Sequence, residues 1–243
     1  MATTTNKQRV LTHFFALLKR CALAEPDSGE AGARPVLEQF LYGVCRENAT
    51  REQADRAFKN LRERFFDWNE IRVSSPRELE EAMGDLPDAE QRAERIISFL
   101  QQVFEKEFSF DLESFHKKGV KQAAKALAGY QASDDYVIAW VLRNSLGGHA
   151  IPVDAPTLRV TRRLGLIDRD QEDREALRTS LEHLVPKAKG AAFTELASYL
   201  AHEYCWEEEP SCSSCPLAGE CPTAHELGAE VLTTARTTRN KPR

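Results

Sequence analysis

Four cysteines near the C-terminus constrain this chain more than any other feature. Cys205, Cys212, Cys215 and Cys221 follow the spacing C-x6-C-x2-C-x5-C and fall within seventeen residues. Four thiolates converging from one short loop suit a tetrahedral zinc ion or a four-iron cluster. Disulfides are the plain alternative. A Cys-x-x-Cys pair is too tight for good bridge geometry between neighbours, and no apolar leader with a small-residue cleavage site is evident after Met1. Structural zinc sites usually draw their ligands from two Cys-x-x-Cys knuckles, and only one such pair exists here. The wider, unequal spacings favour iron–sulfur. Cys21 and Cys45 lie in helical patterns and read as buried small hydrophobes.

The rest of the chain carries helix signals almost throughout. Val36, Leu37, Phe40, Leu41 and Val44 form one apolar stripe of helical period, and Ile96, Ile97, Leu100, Val103 and Phe104 another. Leu177, Leu181, Leu184 and Val185 form a third, and Phe193, Leu196, Leu200 and Tyr204 a fourth. Thr50–Gln53 and Ser75–Glu78 read as capping boxes, with Pro76 at a first helical position. Asp88 opens a segment ending near Glu105. Val137–Leu142 is continuously apolar, but it lies in a longer stretch free of Gly and Pro, which favours a buried helix. Twelve Gly and eleven Pro leave little room for a turn-rich all-β fold. The pattern predicts an all-α protein of about ten helices. The small-residue stretch 26–34 is a plausible crossing between two lobes.

At 42% hydrophobic and 29% charged residues the composition is globular, and no run reaches the ~20 apolar residues of a membrane span. The net charge of −5 does not by itself suggest a nucleic-acid binder. Its distribution is uneven. Lys117, Lys118, Lys121 and Lys125 are clustered, as are Arg159, Arg162 and Arg163, and Arg236, Arg239, Lys241 and Arg243 make a basic tail. Residues 201–230 hold seven Glu and no Lys or Arg. Basic clusters of this kind are either solvated helix faces or local phosphate-binding patches.

The cysteine spacing, at the C-terminal end of an all-helical chain of this size, resembles the endonuclease III branch of the helix-hairpin-helix DNA glycosylases. A second stretch supports the resemblance. Residues 150–163 read Ala-Ile-Pro-Val-Asp-Ala-Pro-Thr-Leu-Arg-Val-Thr-Arg-Arg, similar to the family's Val-Asp pair opening a helix with an Arg five residues on. The resemblance covers roughly residues 35–224. It implies a [4Fe-4S] cluster on Cys205, Cys212, Cys215 and Cys221, and Asp154 as the catalytic carboxylate. It further implies Arg159 and Arg163 as positive charge near phosphate or near Asp154. Asn48, in Glu47-Asn-Ala-Thr50, lies where the family inserts a polar wedge into the emptied base stack. Read from the residues alone, Asp154 before Pro156 is a helix N-cap. The two readings are compatible, because a carboxylate fixed at a helix mouth suits stabilisation of an oxocarbenium sugar.

Three departures from the family pattern matter. The hairpin Leu-Pro-Gly-Val-Gly is replaced by Leu127-Ala-Gly-Tyr-Gln-Ala-Ser-Asp134, which keeps one glycine, Gly129, and brings Asp134 and Asp135 close to any phosphate. The position of the family's Schiff-base lysine is Tyr136, similar to the thymine mismatch glycosylases, and no Lys or Arg lies between Lys125 and Arg143. Tyr136 also fits a half-buried helical aromatic. The loop between the first two cysteines carries Glu207, Glu208 and Glu209 where family members place basic residues.

Two helical lobes are therefore expected. Residues 1–30 would supply an N-terminal helix packing on the C-terminal lobe. Residues 31–147 would form a six-helix barrel with a degenerate hairpin at about 118–146, residues 148–224 the catalytic-Asp and cluster lobe, and 225–243 the basic tail. The function implied is a monofunctional DNA glycosylase of base excision repair acting on double-stranded DNA with a damaged or mismatched base. A monomer in the cytoplasm, nucleoid-associated in a prokaryote, is the matching expectation. The alternatives are a non-catalytic iron–sulfur DNA-binding descendant, and an iron–sulfur interaction or redox module without DNA.

Overall fold

The computed structural model describes residues 4–20 and 34–228, and every regular element among them is helical. Cys21, residues 26–33 of the small-residue stretch and the basic positions 236–243 lie outside the described residues.

The first lobe is built by α2 (Val36–Arg46), α3 (Arg51–Arg64), α4 (Trp68–Val73), α5 (Pro76–Met83), α6 (Ala89–Glu107), α7 (Val120–Leu127) and α8 (Asp135–Asn144). Both capping boxes form. Thr50 Oγ1 accepts from Gln53 N at 3.2 Å while Gln53 Oε1 accepts from Thr50 N at 3.0 Å, and Ser75 and Glu78 exchange the same pair of bonds. The short α4 has no apolar stripe to announce it and rests on an Asp67 cap, whose Oδ1 accepts from Glu70 N at 2.8 Å. At the start of α6, Asp88 takes a left-handed conformation (φ 52°) and makes no side-chain cap. The stripes of α2 and α6 face each other, with the Phe40 and Phe99 rings stacked at 3.6 Å and Tyr130 set edge-on against both. The Val137–Leu142 run lies in α8, where Tyr136, Val137 and Ala139–Leu142 are buried. Gly43 lets α8 approach α2, since a Cβ there would meet Trp140 Cδ1 at 3.2 Å.

The second lobe joins the two ends of the chain. α1 (Thr4–Arg20) packs on α11 (Gly190–Glu203), with Phe14 against Phe193 at 5.2 Å. α9 (Ala155–Arg163), α10 (Arg174–Leu184), the cysteine loop and α12 (Pro222–Glu226) complete it. Full burial of one Leu such as Leu181 is worth about 1.5–3 kcal/mol. The buried apolar residues fall into two separate clusters, one per lobe. Polar bonds join the lobes instead: Arg143 Nη1 to Thr194 Oγ1 at 2.6 Å, Lys187 Nζ to Gly147 O at 2.7 Å, and the bonds around Asp154 described next.

Candidate active site and cysteine loop

The turn between α2 and α3 carries the first half of the site. Two arginines of α6 fix it. Arg92, itself buried, donates to the carbonyls of Val44, Glu47 and Pro87, placing a cation where the carbonyls of α2 run out. Arg95 donates to Glu47 Oε2 at 2.7 Å, to Asp134 Oδ2 at 2.6 Å and to Ala132 O. One guanidinium thus serves two carboxylates. Burial and the Asp134 charge push the Glu47 carboxyl up to about 7, against the lowering pull of Arg95. Asn48 follows in the left-handed region (φ 54°), which Asn tolerates better than most residues.

That conformation aims Asn48 at the start of α9. Asn48 N donates to Asp154 Oδ2 at 3.0 Å, and Asn48 Oδ1 accepts from Ala155 N at 3.1 Å. Asp154 Oδ1 accepts from Thr157 N at 2.9 Å, so Asp154 is the N-cap of α9 and a bond to the first lobe at once. The carboxylate is buried at the seam between the lobes. A wedge role for Asn48 requires its bond to Ala155 to open first.

Two groups share the field of Asp154. Tyr136, the second residue of α8, is buried against Trp140, and its hydroxyl has no hydrogen-bond partner. Burial raises Tyr136 well above the usual tyrosine range; Arg46 opposes this and Asp154 adds to it. The phenol is therefore neutral and an unused donor. Arg46, at the end of α2, is 1% exposed and donates to Ala49 O and to Glu195 Oε2 (3.3 Å), while its Nε has no partner. Burial disfavours its charge, but Glu195, Tyr136, Tyr42 and Asp154 together outweigh that and hold it. Neither Arg46 nor Glu195 stands out in the sequence. The faint signal is a polar stripe on α11, Glu195, Ser198, Tyr199, His202 and Glu203, at helical spacing opposite the apolar face.

Cys205, Cys212, Cys215 and Cys221 line one small cavity of about 30 Å³. Arg159 Nε donates to Cys205 O at 2.7 Å, and Nη2 to Ala201 O, capping the end of α11. Arg163 donates to Cys205 Sγ at 3.4 Å and to the carbonyls of Trp206 and Glu207. Both guanidinium groups are therefore engaged by the cysteine loop. Among the described residues no three His, Cys, Asp or Glu side chains gather as a site for a single metal ion. Burial raises the thiols of Cys212, Cys215 (to about 11) and Cys221, and the neighbouring thiols add to this. Four ionised thiols at such spacing need a positive group among them. The donor set and the shared cavity fit a polynuclear iron–sulfur group, with Arg163 offsetting thiolate charge.

No protein-family model matches the sequence, and no curated protein matches it. Solved structures do match. A trapped covalent complex of endonuclease III with DNA is 20% identical at a TM-score of 0.68, covering 94% of this chain and 100% of that one. A thermostable thymine-DNA glycosylase is 17% identical at 0.62, covering 93% and 100%. A 3-methyladenine DNA glycosylase of H. pylori bound to ethenoadenine is 16% identical at 0.59, covering 81% and 97%. The fold is that of the helix-hairpin-helix DNA glycosylases.

The stretch expected to form the hairpin is α7, the loop 128–134 and α8, and the two helices pack together. Gly129 is exposed and does not use a left-handed conformation. Its N–H donates to Ala126 O, that of Tyr130 to Leu127 O, and that of Ser133 to Tyr130 O; Gln131 N donates to Gln102 Oε1 at 3.0 Å. These amides are therefore taken by acceptors of the chain itself. Asp134 caps α8 through Val137 N and pairs with Arg95. Exposed positive charge lies on α7 and just before it, on Lys117, Lys118, Lys121 and Lys125.

Proposed function

We propose that the protein is a monofunctional DNA glycosylase that hydrolyses the N-glycosidic bond of a damaged or mismatched base in double-stranded DNA. One observation carries the reading. A buried carboxylate, Asp154, is fixed by one residue of each lobe, Asn48 and Thr157, at the seam of a fold whose solved neighbours include endonuclease III–DNA complexes. The base leaves C1′ with the bonding electron pair, Asp154 stabilises the positive charge that grows on the sugar, and a water oxygen bonds C1′. The hydrogen bonds to Asn48 N and Thr157 N fix the direction of the carboxylate before charge develops. Tyr136 holds the place where a lyase needs an amine and cannot form an imine. The exposed lysines on α7 and just before it would supply the salt-dependent attraction to phosphate.

The four cysteines would hold a [4Fe-4S] cluster, which when bound ties the loop to α9 and α11 and supplies a one-electron centre. Support comes from the four thiols lining one cavity.

The hairpin amides already bonded within the chain and the acidic loop favour one second reading, a descendant that binds DNA without excising a base. Excision by wild type and Asp154→Asn on duplexes carrying uracil, a thymine–guanine mismatch, an oxidised pyrimidine, an alkylated purine and adenine opposite oxidised guanine separates the two. Excision lost in Asp154→Asn is expected. Salt-dependent binding to abasic duplex with no excision of any base leaves the second reading standing.

A further inference from the structure

Beside Asp154 lies a concavity of about 70 Å³, enough for a few water molecules or a phosphate group. Val153 and Leu158 give it an apolar wall, and Asp135, Asp154, Arg174 and Arg178 give it a charged one. α10 supplies both arginines. Its start is fixed: Arg162 Nη2, from α9, donates to Gln171 O at 2.6 Å, and Asp173 caps the helix by accepting from Glu175 N at 2.9 Å. Arg174 is the first residue of α10, and Arg178 stands one turn further along the same face. Arg174 is exposed and makes no hydrogen bond or ion pair among the described residues. Arg178 approaches only Glu182, at 3.6 Å, which is too long for a hydrogen bond. The donors of two guanidinium groups are therefore unengaged in a concavity that they share with the candidate catalytic carboxylate. The position of Arg174 adds weight. The first turn of a helix favours an anion, so a cation there weakens α10 rather than supporting it.

We propose that Arg174 and Arg178 form a phosphate clamp that seats the sugar–phosphate unit of the excised nucleotide against Asp154. The clamp presupposes the glycosylase reading and names a DNA contact for it. A deoxyribose phosphate is apolar on the C–H face of its ring and anionic at its phosphate. The concavity repeats that division: Val153 and Leu158 take the sugar, the two guanidinium groups take a flanking phosphate, and the Asp154 carboxylate is left for C1′. The arginines also answer an electrostatic difficulty. A phosphate brought close to Asp135 and Asp154 meets two like charges, which two guanidinium groups in the same concavity offset. Asp135 is exposed, so water and salt screen its share. Planar guanidinium donors suit the paired oxygens of a phosphate. Elsewhere near the site such donors are already taken. The hairpin amides bond within the chain, and Arg159 and Arg163 are held by the cysteine loop.

Binding of the full chain to a duplex carrying a tetrahydrofuran abasic site tests this. The phosphates on either side of that site are left intact or replaced, one at a time, by uncharged methylphosphonate. Arg174→Gln/Arg178→Gln should bind the intact duplex about 10-fold more weakly, the usual loss for hydrogen bonds to a charged group. Its slope of log affinity against log salt should be smaller by about 1, as for one phosphate contact removed. One of the neutral linkages should weaken wild type by a similar factor and leave the double variant unaffected. Arg174→Gln should melt at or above wild type, because a cation leaves the helix N-terminus; a lower melting temperature assigns Arg174 a structural role and counts against the clamp. An unchanged salt slope, or a penalty for every neutral linkage that is the same in both proteins, overturns the clamp and leaves the glycosylase reading intact. Wild type that binds no duplex overturns both. Should the double variant fail to fold, Arg174→Gln alone, which has no ion pair to lose, decides by the same two measurements.

Discussion

Replacing Asp154 by Asn separates its structural work from its chemistry. Asp154 accepts two backbone hydrogen bonds, from Thr157 N at 2.9 Å and from Asn48 N at 3.0 Å. As an N-cap alone, Asn is nearly as good as Asp, and the change would cost a few tenths of a kcal/mol at most. The second bond changes that expectation. An asparagine has one acceptor atom. With its oxygen on Thr157 N, its amide group faces the N–H of Asn48, donor to donor. Leaving that half-buried N–H without an acceptor costs about 1–3 kcal/mol. In a chain of this size each kcal/mol lowers the melting temperature by about 2–4 °C, so a fall of roughly 2–12 °C is expected. Calorimetry and urea unfolding of wild type, Asp154→Asn and Asp154→Ala measure it, alongside excision on a cleavable duplex. Excision should vanish in both variants, with Ala the less stable of the two. Asp154→Asn melting within about 0.3 kcal/mol of wild type would refute the second bond. Unchanged excision would leave Asp154 only its capping role.

Three further outcomes are expected. Because Glu47 in the folded protein holds its proton to about pH 7, against an ordinary value near 4.5, the folded state binds more protons between those values. Stability therefore falls as pH rises through that window, on the order of 1–3 kcal/mol, and urea unfolding across pH 4.5–8 should find the slope flattened in Glu47→Gln. Borohydride present during excision should trap no covalent protein–DNA adduct, and strand scission should need alkali; an adduct would reveal an amine near the sugar that Tyr136 does not provide. Anaerobically purified wild type should be yellow-brown with iron bound, and Cys215→Ser should lose iron together with the order of the loop; stoichiometric zinc without iron would refute the cluster.

What was legible in the sequence was periodic or local. The stripe from Val36 to Val44 is buried, and Thr50–Gln53 and Ser75–Glu78 form the boxes their spacing announces. Such features need only residues a turn apart. The features missed depend on distant partners. Arg46 reads as an ordinary basic residue ending a helix, and only Glu195, 149 positions on, shows why its charge is buried. Arg92 and Arg95 look like the solvated face of α6 until the carbonyls ending α2 are placed beside them. The hairpin shows the same limit. A lost glycine suggests weaker phosphate binding, but that Gln102 takes the amide of Gln131 depends on packing between elements far apart in the chain.

The polar character of the seam bears on how water could reach the site. Had the two apolar clusters merged, the charge on Asp154 would lie in a dry interior and water would have no place beside it. The lobes are joined instead by hydrogen bonds to backbone and hydroxyl groups, among them Arg143 with Thr194, Lys187 with Gly147, and Asn48 with Asp154 and Ala155. Each such bond can be exchanged for one to water or to a nucleotide at a net difference of about 0.5–1.5 kcal/mol. Parting packed Leu and Phe side chains would cost more, about 1.5–3 kcal/mol for each side chain exposed. The Arg46–Glu195 bond, at 3.3 Å, joins the lobes as well. Water can therefore reach the seam at low cost while Thr157 N continues to hold the carboxylate in line.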